Sequence, residues 1–278
     1  MVNINSNYAA SFAANAAKRT TSALDSAMER LSTGKRINYA RDDAAGQAIA
    51  TRLTAEIQGL AAASRNASDA QSMVDTADGA IQETQTLLLR MRELAVQSSN
   101  GTLAAADRAA LEAEALSLEA EITRISDNTT WAGTNLLDNT LSDGITFQVG
   151  TKEGGANLVT LSIPDMAATA ATISYTVGFS IGAFTNAQSA ITQIDAALSG
   201  VSEVRGKLGG ISNRLNSTIA NMDQVKVNLS ASKGRIEDAD FAVETGNLAK
   251  NQIMQQAAIA IIAQANASKN TVLSLIQN

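Results

Sequence analysis

From Ala44 to Gln97 the chain keeps one helical rhythm without a proline. Apolar and small positions recur at alternating spacings of three and four through Ala50, Leu53, Ile57, Leu60, Ser64, Ala67, Gln71, Val74, Asp78, Ile81, Gln85, Leu88, Arg92 and Ala95. A second line, Met73, Ala77, Ala80, Leu87, Met91 and Leu94, runs beside it in the latter half. That spacing lays one face of an α-helix against a partner. At ~1.5 Å per residue such a helix is roughly 80 Å long, far beyond the width of a small domain. A helix of that length must be covered by other helices along its flanks, so the remaining segments are expected to run alongside it.

Those segments are present. Ala10, Ala13, Ala17, Thr20, Leu24, Ala27 and Leu31 predict a helix over about 6–33, with Gly34 placed to end it. Asp42 and Asp43 offer an N-cap and a favourable end charge to the long helix. After the punctuation of Ser98–Thr102, Leu111, Ala115, Leu118, Ile122 and Ile125 predict a third helix over about 103–126, folded back as a hairpin. Residues 128–185 are turn-rich, with β-branched runs at Ile145–Val149, Leu158–Ile163 and Thr172–Ile181 and the single proline, Pro164. Short antiparallel hairpins are expected there. From Asn186 the helical pattern returns through Ile191, Ile194, Leu198, Val201, Leu208, Leu215, Ile219, Met222 and Leu229. Gly206, Gly209 and Gly210 make a kink plausible, and Ser230–Asp240 reads as a break before a last helix. The expected fold is mainly α: a long antiparallel helical rod or coiled-coil bundle from both chain ends, with a small β-hairpin region in the middle.

Composition narrows the function. There is no Cys and no His, which removes thiol chemistry, thiolate metal sites and the commonest general base and transition-metal ligand. A net charge of −6, no basic stripe and only 3% aromatic residues count against nucleic acid. Asp42–Asp43 and Glu237–Asp240 are too few oxygen ligands for a metal, and Gly206–Gly210 sits in a helical pattern without a phosphate-loop lysine. No catalytic constellation stands out, so no enzyme and no cofactor are expected. The N-terminus lacks the pattern of a cleaved secretory signal, and the longest apolar run, Ala257–Ala263, is too short to span a bilayer.

The last forty residues carry more apolar surface than one partner can cover. Met254, Ala258, Ile261, Ala265, Val272 and Leu275 form one line; Ile259, Ile262, Leu273 and Ile276 form a neighbouring one. Such a helix at a chain end needs cover from several directions. Residues 6–33, with Leu24 and Leu31, are the candidate partner within the same molecule. Other copies supply the rest, through head-to-tail contacts that generate filaments. The basic run of Arg30, Lys35, Arg36 and Arg41 is expected to meet Glu237, Asp238, Asp240 and Glu244, within or between copies, and to help set register.

The motifs ERLSTGKRINYARDDAAGQAIATRL (Glu29–Leu53), RMRELAVQSSNGT (Arg90–Thr102), FQVG (Phe147–Gly150), SNRLNS (Ser212–Ser217), GRIEDADFA (Gly234–Ala242) and IIAQANASKNTVLSLIQ (Ile261–Gln277) together resemble bacterial flagellin. The likeness covers about 1–150 and 185–278, in the family's order, without the large variable middle that many flagellins carry. It implies a subunit that polymerises into the flagellar filament for swimming. Residues 1–41 and 236–278 would be assembly helices of the inner tube, ordered on assembly. Residues 42–140 and 186–235 would form the rod, and 141–185 a short variable region. Polymerisation would fall on Leu24, Leu31, Arg36, Arg41, Asp42, Asp43, Glu237, Asp238, Asp240, Met254, Ile261, Leu273 and Leu275. The resemblance further implies type III export, a cytosolic chaperone on the C-terminal helix, hook–filament junction and cap proteins as neighbours, and an extracellular filament. A face at Arg90, Leu94 and Glu114 would meet the vertebrate Toll-like flagellin receptor. The alternatives are a hook–filament junction protein, or a surface-displayed short flagellin binding a polysaccharide through residues 128–185, where Trp131, Phe147, Tyr175, Phe179 and Phe184 lie.

Overall fold

A computed structural model describes residues 6–167 and 180–276, with side chains through Ser268 in the last helix. The elements are α1 (Tyr8–Thr33), α2 (Ala44–Ser98), α3 (Ala105–Asn128), β1 (Thr130–Trp131), β2 (Thr134–Asn135), β3 (Ile145–Gln148), β4 (Leu158–Leu161), α4 (Phe184–Glu237) and α5 (Phe241–Ile276). Every helix that the spacing predicts is present, and the protein is mainly α with a small β region. The helix ends match the expected ones within about two residues, except around α4. The molecule divides into two compact units: residues 1–55 with 227–278, and residues 56–226.

In the unit of residues 56–226, α2 buries Ala67, Ala70, Val74, Ala77, Ile81, Thr84, Leu88, Met91 and Ala95. The stripe draws on both lines read from the sequence: Ala67, Val74, Ile81, Leu88 and Ala95 come from the first and Ala77 and Met91 from the second, whose Met73 and Leu94 are buried as well. The polar positions of the first line fall at its rim and tie α2 to α4. Arg205 Nε and Nη2 reach Asp78 at 2.8 and 3.2 Å, and Nη1 donates to Gln85 at 2.8 Å. Arg92 donates to Asp195 at 2.6 Å, and Gln71 to Ser212 Oγ at 2.7 Å. These pairs order the two helices antiparallel. The Arg205 fork fixes geometry as well as charge, while the partly exposed pairs add little stability each. From α4 come Ala190, Ile194, Ala197, Val201, Val204, Leu208, Leu215 and Met222, and α3 adds Ala115 and Ile122.

α4 is one helix through Gly206, Gly209 and Gly210. Each glycine costs about 1 kcal/mol against alanine. Buried Val204, Leu208 and Leu215 and the Arg205 fork hold the helix across them. The break expected over Ser230–Asp240 shrinks to Asp238–Asp240, because Ser230–Glu237 continue α4. No residue there forbids the helix, and Lys233 pairs with Glu237 one turn on at 3.5 Å.

The middle segment forms two antiparallel hairpins, β1–β2 and β3–β4, the second pairing Ile145 with Leu161 and Gln148 with Leu158. The β1–β2 turn has no clear signature in the sequence. Its central residues Ala132 and Gly133 have φ of 49° and 84°, as a type I′ turn demands, yet Ala is a poor marker for it. Leu136, Leu137, Leu141, Val159, Leu161, Ile163 and Met166 are buried, and Ser126 Oγ donates to Leu137 O at 2.7 Å, anchoring the segment to the end of α3. The predicted strand Thr172–Ile181 lies mostly outside the described residues. Its described end is tied in, since buried Ser98 donates its hydroxyl to Ile181 O.

Leu88, fully buried on the α2 stripe, reports on this core. Leu88→Ala is expected to lower stability by about 2–5 kcal/mol in urea unfolding followed by circular dichroism. A loss within error would remove Leu88 from the core.

Candidate assembly surface

In the unit of residues 1–55 and 227–278, the two ends of the sequence form an antiparallel pair. α1 starts at Asn7, whose Oδ1 accepts from Ala10 N at 3.1 Å while its Nδ2 donates to Ala265 O at 3.2 Å. One residue therefore caps α1 and fixes it to α5. Gln255 reaches Thr21 Oγ1 at 3.1 Å, and Arg30 reaches Glu244 at 3.1 Å. α1 ends at Gly34, whose φ of 71° is the left-handed cap that glycine adopts without strain.

Beyond Gly34 the backbone pairs with the α4–α5 junction. Lys35 and Asp238 form an antiparallel bridge, with Arg36 N donating to Glu237 O at 2.6 Å and Ala239 N to Gly34 O at 2.9 Å. Side chains reinforce it: Lys35 Nζ lies 2.5 Å from Glu237, and Arg36 Nη2 donates to Ile236 O at 2.8 Å. Glu237 is buried, and its carboxyl is held below the usual range by the Lys35 hydrogen bond, with Lys233 adding to the effect. Ile37 is buried beside the start of α2. Gly46 packs closely there, since an added Cβ would lie 2.5 Å from Asp43 Oδ2 and 2.7 Å from Ile37 Cδ1 and both side chains would have to shift.

The α1 face toward α5 is the predicted one: Ala13, Thr20 and Ala27 are buried, and Ala10, Ala17, Leu24 and Leu31 half-buried. The facing stripe of α5 is Glu244, Leu248, Asn251, Gln255, Ala258, Ile262 and Ala265, all shielded. Of these, Ala258 and Ala265 belong to the first predicted line and Ile262 to the second, while Glu244, Leu248, Asn251 and Gln255 lie on neither. Small and polar residues on both sides let the helices approach closely. Leu24, Leu31, Leu248 and Ile262 are the large apolar residues of the seam, and many others are turned out. Tyr8, Phe12, Met28, Phe241, Val243, Ile253, Met254, Ile259 and Ile261 are all exposed, Phe12 by 80% and Ile253 by 67%. Phe12 and Met254 border a cleft of about 270 Å³ with Arg19 and Thr20.

The predicted assembly residues divide accordingly. Leu24 and Leu31 lie in the α1–α5 seam; Met254 and Ile261 stand outside it, exposed. Arg36 and Glu237 meet at the bridge, but Arg41 does not reach the acidic cluster. It stacks over Tyr39 at 4.5 Å and lies 3.9 Å from Asp42. Asp43 caps α2 through Gly46 N at 2.8 Å, whereas Asp42 accepts from Asn38 and Tyr39 and closes the preceding loop. Asp240 caps α5 through Ala242 N at 2.9 Å. Asp238 joins through its backbone. The side chains of Leu273 and Leu275 lie outside those described. Tyr8, Phe12 and Ile253 escape a sequence reading because they fall off the three-and-four lines.

In the other unit, Arg90 donates to Glu114 at 2.8 and 3.0 Å and to Glu93 at 2.6 Å, an exposed fork that raises the already high basicity of the guanidinium. Leu94 is not on that face. It is 1% exposed, because it belongs to the stripe that α2 turns inward, and the apolar side chain beside Arg90 at the surface is Leu89.

Among the described residues no group of His, Cys, Asp or Glu is placed to hold a metal ion, and no helix is long and apolar enough to cross a membrane. What the fold offers is a helical protein whose two ends pair and leave many large apolar side chains exposed. The family model of the bacterial flagellin N-terminal helical region matches residues 4–142, and that of the C-terminal helical region matches residues 191–276. A flagellin of Halalkalibacterium halodurans is 45% identical over 90% of this chain and 91% of its own length. Flagellin FlaB1 of Treponema pallidum is 35% identical over 99% of both proteins. Among solved structures, Bacillus cereus flagellin superposes with a TM-score of 0.50 at 30% identity, over 57% of this chain and 88% of that one. A putative flagellar hook-associated protein from Vibrio parahaemolyticus shares the fold, with a TM-score of 0.60 at 17% identity over 71% of this chain and all of that one. The protein belongs to the bacterial flagellin family, in a short form. It is a structural subunit that self-assembles into the extracellular flagellar filament, and the junction-protein and ligand-binding alternatives are not favoured.

The depressed Glu237 carboxyl makes the bridge acid-sensitive. A carboxylate with a lowered pKa contributes stability that is full above its unfolded value, about 4.3, and fades as pH falls through the folded one. The Arg36 and Ala239 amide resonances are therefore expected to shift on acidification below the ordinary carboxylate range, and Glu237→Gln to remove that transition. Identical acid titrations of both proteins would contradict the role of the Lys35–Glu237 pair.

Proposed function

We propose that the outward face of the α1–α5 pair is the surface through which neighbouring subunits join in the filament. The observation that carries this is the number of large apolar side chains that the pair leaves exposed, Phe12, Ile253, Met254 and Ile261 among them. Covering one such side chain fully is worth about 1.5–3 kcal/mol, so a polymer gains what the single subunit forgoes. Both helices contribute to the face, so each subunit can present two different patches to its neighbours and grow without closing. In this reading Leu24 and Leu31, with Arg36, Asp43, Glu237, Asp238 and Asp240, hold the two ends in register. Met254 and Ile261, joined by Phe12 and Ile253, face other copies, and the polymerisation role proposed for Leu273 and Leu275 belongs to the same reading. Arg41 and Asp42 shape the loop before α2.

The same exposed face explains the accessory partners that the resemblance brings. An export chaperone covers the apolar side of α5 until the subunit leaves through the type III route, with the N-terminal segment as its address. Junction and cap proteins meet the polymer's two ends through surfaces of the same kind. Residues 1–41 and 236–278 serve as the assembly part, 42–140 and 186–235 as the helical support, and 141–185 as the outer variable segment.

Phe12→Asp and Ile253→Asp should each leave the helix content of the monomer unchanged and abolish filaments on addition of seeds, as seen by electron microscopy. Normal filaments from both variants would sink the proposal. Loss of residues 240–278 should also prevent polymerisation.

The exposed Arg90–Glu114–Glu93 fork supports a second role as the contact for a Toll-like flagellin receptor in a vertebrate host. Leu94 would act there only by supporting α2 from inside, with Leu89 as the exposed apolar neighbour. Arg90→Gln is expected to reduce signalling in a receptor reporter cell by about tenfold, the scale of one lost charged fork. Undiminished signalling would count against the assignment.

A further inference from the structure

The turn between α2 and α3 contains the sequence's single Asn-Gly pair, Asn100–Gly101, and both residues are exposed. Three contacts set its chemistry. The Gly101 N–H makes no hydrogen bond among the described residues, so its nitrogen is not held in a ladder. Asn100 Oδ1 accepts from Thr102 N at 3.1 Å, which polarises the amide carbon Cγ and steadies charge that develops on that oxygen. Arg108 donates Nη2 to Asn100 O at 3.0 Å and Nε to Ser98 O at 3.1 Å, placing a guanidinium on the backbone carbonyl of the same asparagine.

We propose that Asn100 is a site of spontaneous deamidation, and that Arg108 directs the product toward isoaspartate. The Gly101 nitrogen gives its proton to water and attacks Asn100 Cγ. A new bond forms between that nitrogen and Cγ, the Cγ–Nδ2 bond breaks, and ammonia leaves from a cyclic imide. Water then opens the ring. Attack at Cγ breaks the bond from Cγ to the Gly101 nitrogen and yields aspartate. Attack at the backbone carbonyl breaks its bond to the Gly101 nitrogen and routes the backbone through Cγ, leaving the α-carboxylate free. Arg108 polarises this second carbonyl and pairs with the carboxylate that appears on it. The overall exchange is one amide and one water for one carboxylate and one ammonium ion, with no oxidant or enzyme required.

The fold supplies its own control. Among the acid pairs, Asp78–Gly79 lies within α2, and in Asp143–Gly144 the Gly144 N donates to Leu141 O at 3.1 Å. A carboxylate is in any case the poorer electrophile. Asn213 and Asn216 lie within α4, where the following N–H groups belong to the helix. Asn100 is thus the one asparagine among the described residues followed by glycine, and the α2–α3 turn gains negative charge as a subunit ages.

The full-length protein should be incubated in mildly alkaline buffer and followed by tandem mass spectrometry, with enzymatic methylation of isoaspartate as the second readout. Conversion is expected at Asn100 ahead of every other asparagine, with isoaspartate in excess. Gly101→Ala is tolerated by the fold, since an added Cβ meets nothing within 4 Å, and should slow conversion by about tenfold because the added methyl hinders the attacking nitrogen. Arg108→Gln should lower the ratio of isoaspartate to aspartate. Three results would overturn the proposal: Asn100 remaining an amide while a synthetic Ser98–Leu103 peptide converts, a Gly101→Ala rate equal to the parent's, or a product ratio insensitive to Arg108.

Discussion

The two ends of the protein meet through a backbone bridge, and the assembly surface depends on it. Gly34 and Arg36 exchange hydrogen bonds with Ala239 and Glu237 across two hundred residues of intervening sequence. Closing so long a loop has an entropic cost that rises only slowly with length, but two backbone bonds alone do not offset it. The buried Glu237 between Lys35 and Lys233, the Arg30–Glu244 pair and the Asn7 anchor at the far end share the task. With them in place, α1 and α5 are held in one register.

Alanine and threonine line the inside of the α1 seam, and the facing stripe of α5 includes Glu244, Asn251 and Gln255. Such a seam specifies register better than it stabilises, because little apolar area is buried and the polar groups accept few alternatives. Leu24, Leu31, Leu248 and Ile262 are the large apolar residues of the seam, while Tyr8, Phe12, Ile253, Met254, Ile259 and Ile261 stay exposed. The unit of residues 56–226 turns Met73, Ile81, Leu88, Met91 and Leu94 inward and keeps ion pairs at the rim.

How much of this is legible in the sequence differs by level. Helix existence is, because a proline-free rhythm over fifty residues has few other meanings. The inward face of α1 is also legible, since its seam is unbroken. The face of α2 is largely legible too, since its buried stripe draws on both lines. That of α5 is legible only in part, because Glu244, Leu248, Asn251 and Gln255 lie on neither line. The resemblance places Leu94 at the surface, whereas its apolar line places it inside, where it lies. The Ser230–Glu237 segment looks like a break because its residues are neutral toward helix, and only packing and the Lys233–Glu237 pair decide it. The Ala132–Gly133 turn is hidden by an alanine at positive φ. The charge clusters do face each other as the sequence suggests, but which members touch depends on a backbone bridge that no residue pattern announces.

The central claim is that polymerisation covers the outer face of the α1–α5 pair. Oxidative footprinting of the full-length protein as monomer and as filament measures this directly, one side group at a time. The account predicts that Tyr8, Phe12, Met254 and Ile259, open in the single subunit, lose most of their labelling in the filament, while Leu88 and Met91 remain unlabelled in both states. Equal labelling of those four residues in monomer and filament would contradict it.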